Sequence, residues 1–219
     1  MYISSYLSKE IKPGKVNFTP QRLLQMTQEM KLTHLPLFDG LEFVGNIAEE
    51  DLVELTFERD VKETIKDFTE PFFLTEDHTI FDAFQLMYMN HANVLPVLSK
   101  EHKYLGCVTE QSLVEALAKF PFISEVAVSM VVSIATKEVS MSAISNIIEA
   151  NNGKIYGLMI IDEVDDRTYV LARFSSSNLL SIGETFERYG YQVVQKFYND
   201  EKQELLQSRY AQLLKYMNT

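Results

Sequence analysis

The chain has 219 residues, 46% of them hydrophobic and 23% charged, with a formal net charge of −11 at pH 7. That length and apolar content suit one or two domains with a buried core, and the acidic balance excludes general binding to nucleic acid or acidic membranes, leaving room only for a local basic pocket. The lone Cys107 excludes a disulfide framework within one chain. With no signal-peptide-like start and no apolar stretch near the ~18 residues of a membrane span, a soluble, cytoplasmic chain is expected.

Taken in chain order, residues 16–18 read as a short strand. Thr19-Pro20 then opens a helix, with Thr as its cap and Pro in its first turn. Leu23, Met26 and Met30 give that helix one apolar face. Strands over 34–38 and 43–47 follow, joined by the Asp39-Gly40 turn, and a helix begins at Glu49 with Leu52, Val53 and Leu55 as its apolar residues. Residues 56–70 are charged and helix-prone. A strand over 72–74 comes next, then a helix capped by Asp77 or Thr79 whose apolar face is Ile80, Ala83, Phe84 and Met87. Strands over 94–98 and 104–108 flank a polar turn, and Thr109 caps a helix carrying Leu113, Ala116 and Leu117.

The pattern changes after Phe120-Pro121-Phe122. Alternation predicts a strand over 126–134. Ser140 starts a helix with Met141, Ile144, Ile147 and Ile148 inward, and Asn151-Asn152-Gly153 ends it, with Gly as the left-handed stop. Strands over 154–161 and 168–174 enclose a polar turn at 162–167. A helix from Asn178 to the stop at Gly190 and a strand over 192–197 complete a β-α-β-β-α-β order, the ferredoxin-like pattern. Residues 200–217 read as a final helix, with Leu206, Tyr210, Leu213, Leu214 and Met217 along one side.

The first half is one unit written twice. Leu35-Pro36-Leu37 returns as Leu95-Pro96-Val97, and Gly45-Asn46-Ile47 returns as Gly106-Cys107-Val108, with the same elements around each. Such a unit rarely buries its own core, so two copies imply a pseudo-symmetric pair with a cleft between its halves, where small ligands sit. The expected fold is α+β: two β-α-β-β-α repeats over 1–60 and 61–120, a ferredoxin-like domain over 121–199, and a C-terminal helix over 200–219.

The repeats resemble a pair of cystathionine-β-synthase (CBS) domains. The resemblance rests on the two Leu-Pro segments and on Gly45-Asn46-Ile47-Ala48-Glu49-Glu50-Asp51 and Gly106-Cys107-Val108-Thr109-Glu110-Gln111-Ser112, against a family pattern of Gly-x-hydrophobic-Ser/Thr-x-x-Asp. The third segment resembles an ACT domain by element order, and the whole arrangement is similar to bacterial acetoin-utilisation regulators. The resemblance implies a non-catalytic regulatory protein, homodimeric, with an adenosyl ligand such as AMP, ADP, ATP or S-adenosylmethionine in its cleft and no required cofactor or metal. Carried over by position, it implies Asp51 as acceptor for the ribose hydroxyls and Thr109 as the hydroxyl facing a phosphate. It puts Leu35, Pro36, Val94, Leu95 and Pro96 near the adenine, Asn17 and His34 beside the ligand, and Ser112 at the second copy's ribose position.

Both copies depart from the pattern. Ala48 stands where the first hydroxyl belongs, and Ser112 where the second carboxylate belongs. A structural scaffold that has lost its ligand is therefore the alternative reading, and Asp51 as a solvated helix carboxylate goes with it. The stretch 135–140 lacks the glycine of amino-acid-binding ACT loops, which favours dimerisation through sheet edges or helices. Asp162, Glu163, Asp165 and Asp166 read as a solvated turn. His34, His78, His91 and His102 lack metal-ligand spacing, and no Gly-rich phosphate loop, nucleophile elbow or Cys/His metal set occurs.

Overall fold

Each repeat in the first half closes its sheet with chain that leads into the other repeat. The computed structural model describes residues 2–57 and 65–197, and they fall into two compact units divided between Lys119 and Phe120. The first unit opens with a 3₁₀ turn, Ile3–Tyr6. Its first repeat is β1 (Gly14–Lys15), α1 (Pro20–Met30), β2 (His34–Asp39), β3 (Glu42–Ala48) and α2 (Glu49–Phe57). A second 3₁₀ turn, Ile65–Phe68, and β4 (Thr69–Glu70) lead to the second repeat: β5 (Leu74–Thr75), α3 (Ile80–Met89), β6 (Val94–Leu98), β7 (Tyr104–Thr109) and α4 (Glu110–Ala118).

The sheets run β1-β2-β3-β4 and β5-β6-β7. β4 precedes the second repeat yet pairs with β3 of the first, at Asn46↔Glu70 and Ile47↔Thr69. Reciprocally, Ser8 precedes the first repeat and exchanges two backbone hydrogen bonds with Cys107 of β7, at 2.7 and 2.9 Å. The exchange crosses the boundary at 60/61 expected from the repeat alone. The motif glycines make room for it. A Cβ on Gly45 would lie 2.7 Å from Thr69 Cβ, and one on Gly106 would lie 2.8 Å from the Ser8 carbonyl oxygen. Asn46 adds a clasp, its Nδ2 donating to the carbonyls of Phe72 (2.6 Å) and Glu70 (3.3 Å).

The helices begin where their caps stand. The Thr19 hydroxyl accepts from the Arg22 amide, and Thr79 and Thr109 form reciprocal capping boxes with Asp82 and Ser112. The leading strands lie elsewhere than expected. β1 is Gly14–Lys15 and 16–18 is a turn, closed by the Phe18 amide on the Lys15 carbonyl at 2.9 Å. The reason is space, since a Cβ at Gly14 would come within 2.7 Å of Leu23 and Leu37, so the glycine takes the strand position. Likewise β5 is Leu74–Thr75, and Phe72 is held in a turn by its bond to Glu70. The final part of the helix-prone stretch 56–70 folds as the 3₁₀ turn and β4, while 58–64 lies outside the described residues. One core joins the repeats, with Leu35, Leu37, Ile47 and Leu52 packed together with Val94 and Cys107, each buried side chain contributing about 1.5–3 kcal/mol.

The second unit holds α5 (Pro121–Ser124), β8 (Val128–Ala135), α6 (Met141–Ala150), β9 (Lys154–Val164), β10 (Arg167–Ser175), α7 (Leu179–Arg188) and β11 (Gln192–Phe197). Its antiparallel sheet runs β11-β8-β10-β9, the strand order of a ferredoxin-like fold. α6 and α7 cover one face, over a core of Met130, Ile144, Phe174 and Phe186. Two turns differ in detail from expectation. Asn152, not Gly153, takes the left-handed conformation, at φ 58°. Gly153 is there for clearance, because a Cβ would lie 2.4 Å from Ile148 Cγ2. The hairpin turn narrows to Asp165-Asp166, both with positive φ (51° and 57°), and β9 runs on through Asp162 and Glu163. The helix expected over 200–219 lies outside the described residues.

Candidate functional site

The two repeats meet at Thr33 and Asn93, equivalent residues just ahead of β2 and β6. The Thr33 amide donates to Asn93 Oδ1 and the Asn93 amide to Thr33 Oγ1, each at 3.0 Å. From there each helix start is tied to a strand start, through the Glu49 amide on the Thr33 carbonyl (2.8 Å) and the Glu110 amide on the Asn93 carbonyl (2.9 Å). On the first repeat's side of this junction a cleft of about 560 Å³ opens. Its walls are His34 and the Ala48–Asp51 turn from the first repeat, Glu70 from β4, and the Met89–His91 stretch at the end of α3.

The cleft is acidic, and His34 is buried in its wall. His34 is 7% exposed, with Nδ1 3.0 Å from Thr33 Oγ1 and its ring edge-on to Phe72. Nε2 lies 3.9 Å from a Glu70 carboxylate oxygen. Burial lowers the His34 pKa below its ordinary 6.5, against the opposing pull of Glu70, Asp51 and Glu50, so the imidazole is neutral at pH 7. Asp51 sits in the first turn of α2 with Glu49 and Glu50. Its pKa is raised from 3.8, first by burial and then by Glu70, with His34 acting the other way. A helix N-terminus stabilises the charged form of such carboxylates, and Asp51 lines the cleft. Among the described residues its lining includes Glu49, Glu50, Asp51 and Glu70 but neither Lys nor Arg.

Of the residues singled out from the sequence, the structure brings His34 and Asp51 into this cleft. Leu35, Val94 and Leu95 are wholly buried in the sheets. Pro36 and Pro96 stand opposite Asn46 and Cys107 in the strand ladders. Asn17 lies exposed in the turn before α1. Thr109 and Ser112 are engaged with each other: Ser112 Oγ accepts from the Thr109 amide (3.1 Å) and donates to the Thr109 carbonyl (2.8 Å), while Thr109 Oγ1 accepts from the Ser112 amide (3.2 Å). Ser at the carboxylate position is thus the closing member of a capping box.

The cleft residues that sequence reasoning missed are Thr33, Glu70, Met89, Asn90 and His91. Thr33 had a faint signal, as it stands sixty positions before Asn93 in the repeat. Glu70 and His91 had none, because they reach the cleft through the strand exchange and through a left-handed residue, His91 at φ 50°, that ends the α3 segment. Cys107 is buried and its pKa pushed up to about 12, chiefly by burial, which leaves an inert thiol. Among the described residues no group of His, Cys, Asp and Glu is arranged to hold a metal ion.

A doubled β-α-β-β-α repeat with a polar cleft at its internal junction defines a paired-repeat module. Residues 65–119, the second repeat and its approach, match the CBS domain family. No curated protein matches the chain in sequence. Among solved structures, a CBS domain pair/ACT domain protein from Thermotoga maritima is 20% identical, the match covering 54% of this chain and 98% of that one at a TM-score of 0.47. The CBS-pair protein CBSX2 from Arabidopsis thaliana is also 20% identical, over 54% of this chain and 94% of its own, at 0.45. The CBS domain of a bacterial CNNM/CorC family Mg2+ transporter, solved in complex with ATP, is 18% identical over 54% and 87%, also at 0.45. No helix of the described residues is long and apolar enough to cross a membrane.

Proposed function

We propose that the chain is a non-catalytic regulatory protein that senses an adenosyl ligand in the cleft beside Asp51. The observation that carries this reading is the placement of Asp51. It is a carboxyl group on the first turn of α2, in a cleft that takes walls from both repeats, and an ionised carboxylate facing two adjacent hydroxyls makes the stronger, charge-assisted kind of hydrogen bond. Because the cleft has walls from both repeats, an occupant favours one packing of the repeats over another. The resulting population shift is limited to its differential affinity. On this reading the protein is a cytoplasmic homodimer similar to the acetoin-utilisation regulators, and its ferredoxin-like unit is an ACT-like domain that carries the dimer contact.

Charge orders the ligands. With four lining carboxylates, a neutral imidazole at His34 and no Lys or Arg among the described lining residues, a triphosphate enters against repulsion, whereas the sulfonium and ammonium of S-adenosylmethionine enter with attraction. A thermal-shift series of adenosine, AMP, ADP, ATP and S-adenosylmethionine tests this. A ligand at about 100 times its dissociation constant adds about 2.7 kcal/mol to stability, and the expected order is S-adenosylmethionine above AMP above ATP. Asp51→Ala should weaken the responding ligand by about 1.5–3 kcal/mol, the scale of a hydrogen bond to a charged group. The second reading, a scaffold whose clefts hold no ligand, is favoured by Ala48 and by the closed Thr109–Ser112 cap. Silence across the series favours it.

A further inference from the structure

We infer that His34 and Glu70 together form a seat for a primary ammonium group, so that the ligand of this cleft carries one beside its adenosine. The inference rests on the preceding reading and deepens it. Hydrogen bonding at the junction leaves His34 Nε2 bare. The Thr33 amide donates to Asn93 Oδ1 (3.0 Å) and Asn93 Nδ2 donates to the Lys31 carbonyl (2.9 Å), which together orient the Asn93 amide group. The Thr33 hydroxyl gives its one proton to Asn93 Oδ1 (3.2 Å) and accepts from the Asn93 amide (3.0 Å). It therefore meets His34 Nδ1, 3.0 Å away, as an acceptor. Nδ1 carries the hydrogen of the neutral ring, which burial favours, and Nε2 is left as a lone pair. The His34 side chain is only 9% exposed, and Nε2 lies 3.9 Å from a Glu70 carboxylate oxygen, beyond hydrogen-bond distance.

Two acceptors side by side in one cleft wall, with no proton between them, call for a donor that serves both. A nitrogen about 2.9 Å from each atom sees them about 85° apart, which two N–H bonds of a tetrahedral ammonium reach with little bending. A metal ion would need more ligands than this pair, and among the described residues no group of three His, Cys, Asp or Glu is arranged to supply them. Glu49, Glu50 and Asp51 line the same cleft and add to the attraction for a cation. The fold itself does not ask for the pair. In the other repeat Val94 stands at the position of His34, and Ser8 takes the place of Glu70, pairing with Cys107 as Glu70 pairs with Asn46. That repeat closes its sheet with neither the imidazole nor the carboxylate.

The experiment is titration calorimetry on the full chain with four compounds: adenosine, S-adenosylmethionine, S-adenosylhomocysteine, and the analogue of the last in which hydrogen replaces the amino group. S-adenosylhomocysteine keeps the ammonium and lacks the sulfonium, so it separates the two cations. It should bind within about threefold of S-adenosylmethionine and at least about tenfold more tightly than the amino-free analogue, the scale of one hydrogen bond between charged groups. Glu70→Gln keeps the size of a side chain that is 58% exposed and removes its charge, and should bring the ratio of those two affinities close to one. His34→Leu removes the lone pair and should also lower the ratio, which is read on a single sample and does not depend on how much of a variant is folded. An amino-free analogue that binds as tightly as S-adenosylhomocysteine, or a ratio that Glu70→Gln leaves intact, overturns the seat while the adenosyl reading stands on the binding of adenosine. No binding by any of the four overturns both.

Discussion

His34 and Asp51 titrate in opposite senses from their ordinary values, and each shift has a consequence in solution. The His34 pKa is lowered, mainly by burial, so on acidification through 6.5 the unfolded chain takes up its proton before the folded one does. Its contribution to stability is thus full above 6.5 and falls as the pH drops toward the folded value. Denaturant midpoints measured above and below 6.5 should show this decline, and His34→Gln should flatten it. The Asp51 pKa is raised, so the folded state takes its proton more readily than the unfolded chain, and this residue's linkage favours folding as the pH falls. On the proposed reading ligand binding runs the other way, because ribose hydroxyls bonded to Asp51 would need the ionised carboxylate. Affinity for the adenosyl ligand should therefore begin to fail at a pH above that expected of an exposed aspartate, which titration calorimetry across the acid range would detect.

Among the elements, the telling ones are the shortest. β4 has two residues, and the chain at Ser8 contributes a single bridge, yet both press onto the motif glycines, whose φ values of 155° and 148° other residues adopt with strain. Gly45→Ala and Gly106→Ala should each cost about 1–3 kcal/mol, seen as lowered thermal midpoints, whereas Gly40→Ala, with nothing within 4 Å of its Cβ, should cost only its backbone strain. This scale also explains what could be read in the sequence. Helices announced themselves through Thr19, Thr79, Thr109 and Ser140, because a hydroxyl cap followed by helical periodicity is a local signal. The long strands announced themselves through repetition of Leu-Pro and Gly-x-hydrophobic. The two-residue strands did not, since their place is set by what packs on Gly14, Gly45 and Gly106 from far along the chain. The cleft was legible to the same degree: Asp51 and His34 through the motif and its flank, but not Glu70, whose contribution depends on the exchange.

For the first unit as a whole, the exchange removes any line along which one repeat could open alone. Ile3 is fully buried, and its amide donates to the carbonyl of His78 (2.8 Å), at the threshold of the second repeat. Ile3→Ala should cost about 2–5 kcal/mol, as large-to-small changes in cores do. Hydrogen exchange should accelerate together at Leu35 and Leu95, although the Ile3 backbone bond runs to the second repeat. Acceleration confined to Leu95 would mean that the repeats open separately.

The same reciprocity sets an order of events during synthesis. The segment around Ser8 leaves the ribosome before the repeats do, but its seat on β7 does not exist until Cys107 has followed. The first repeat likewise stays open on one side until Thr69 and Glu70 emerge beside β3. Neither sheet can be completed from its own stretch of nascent chain, so the opening residues wait, apolar Ile3 among them, until nearly the entire unit has been made. Final closure then comes in one late, concerted step.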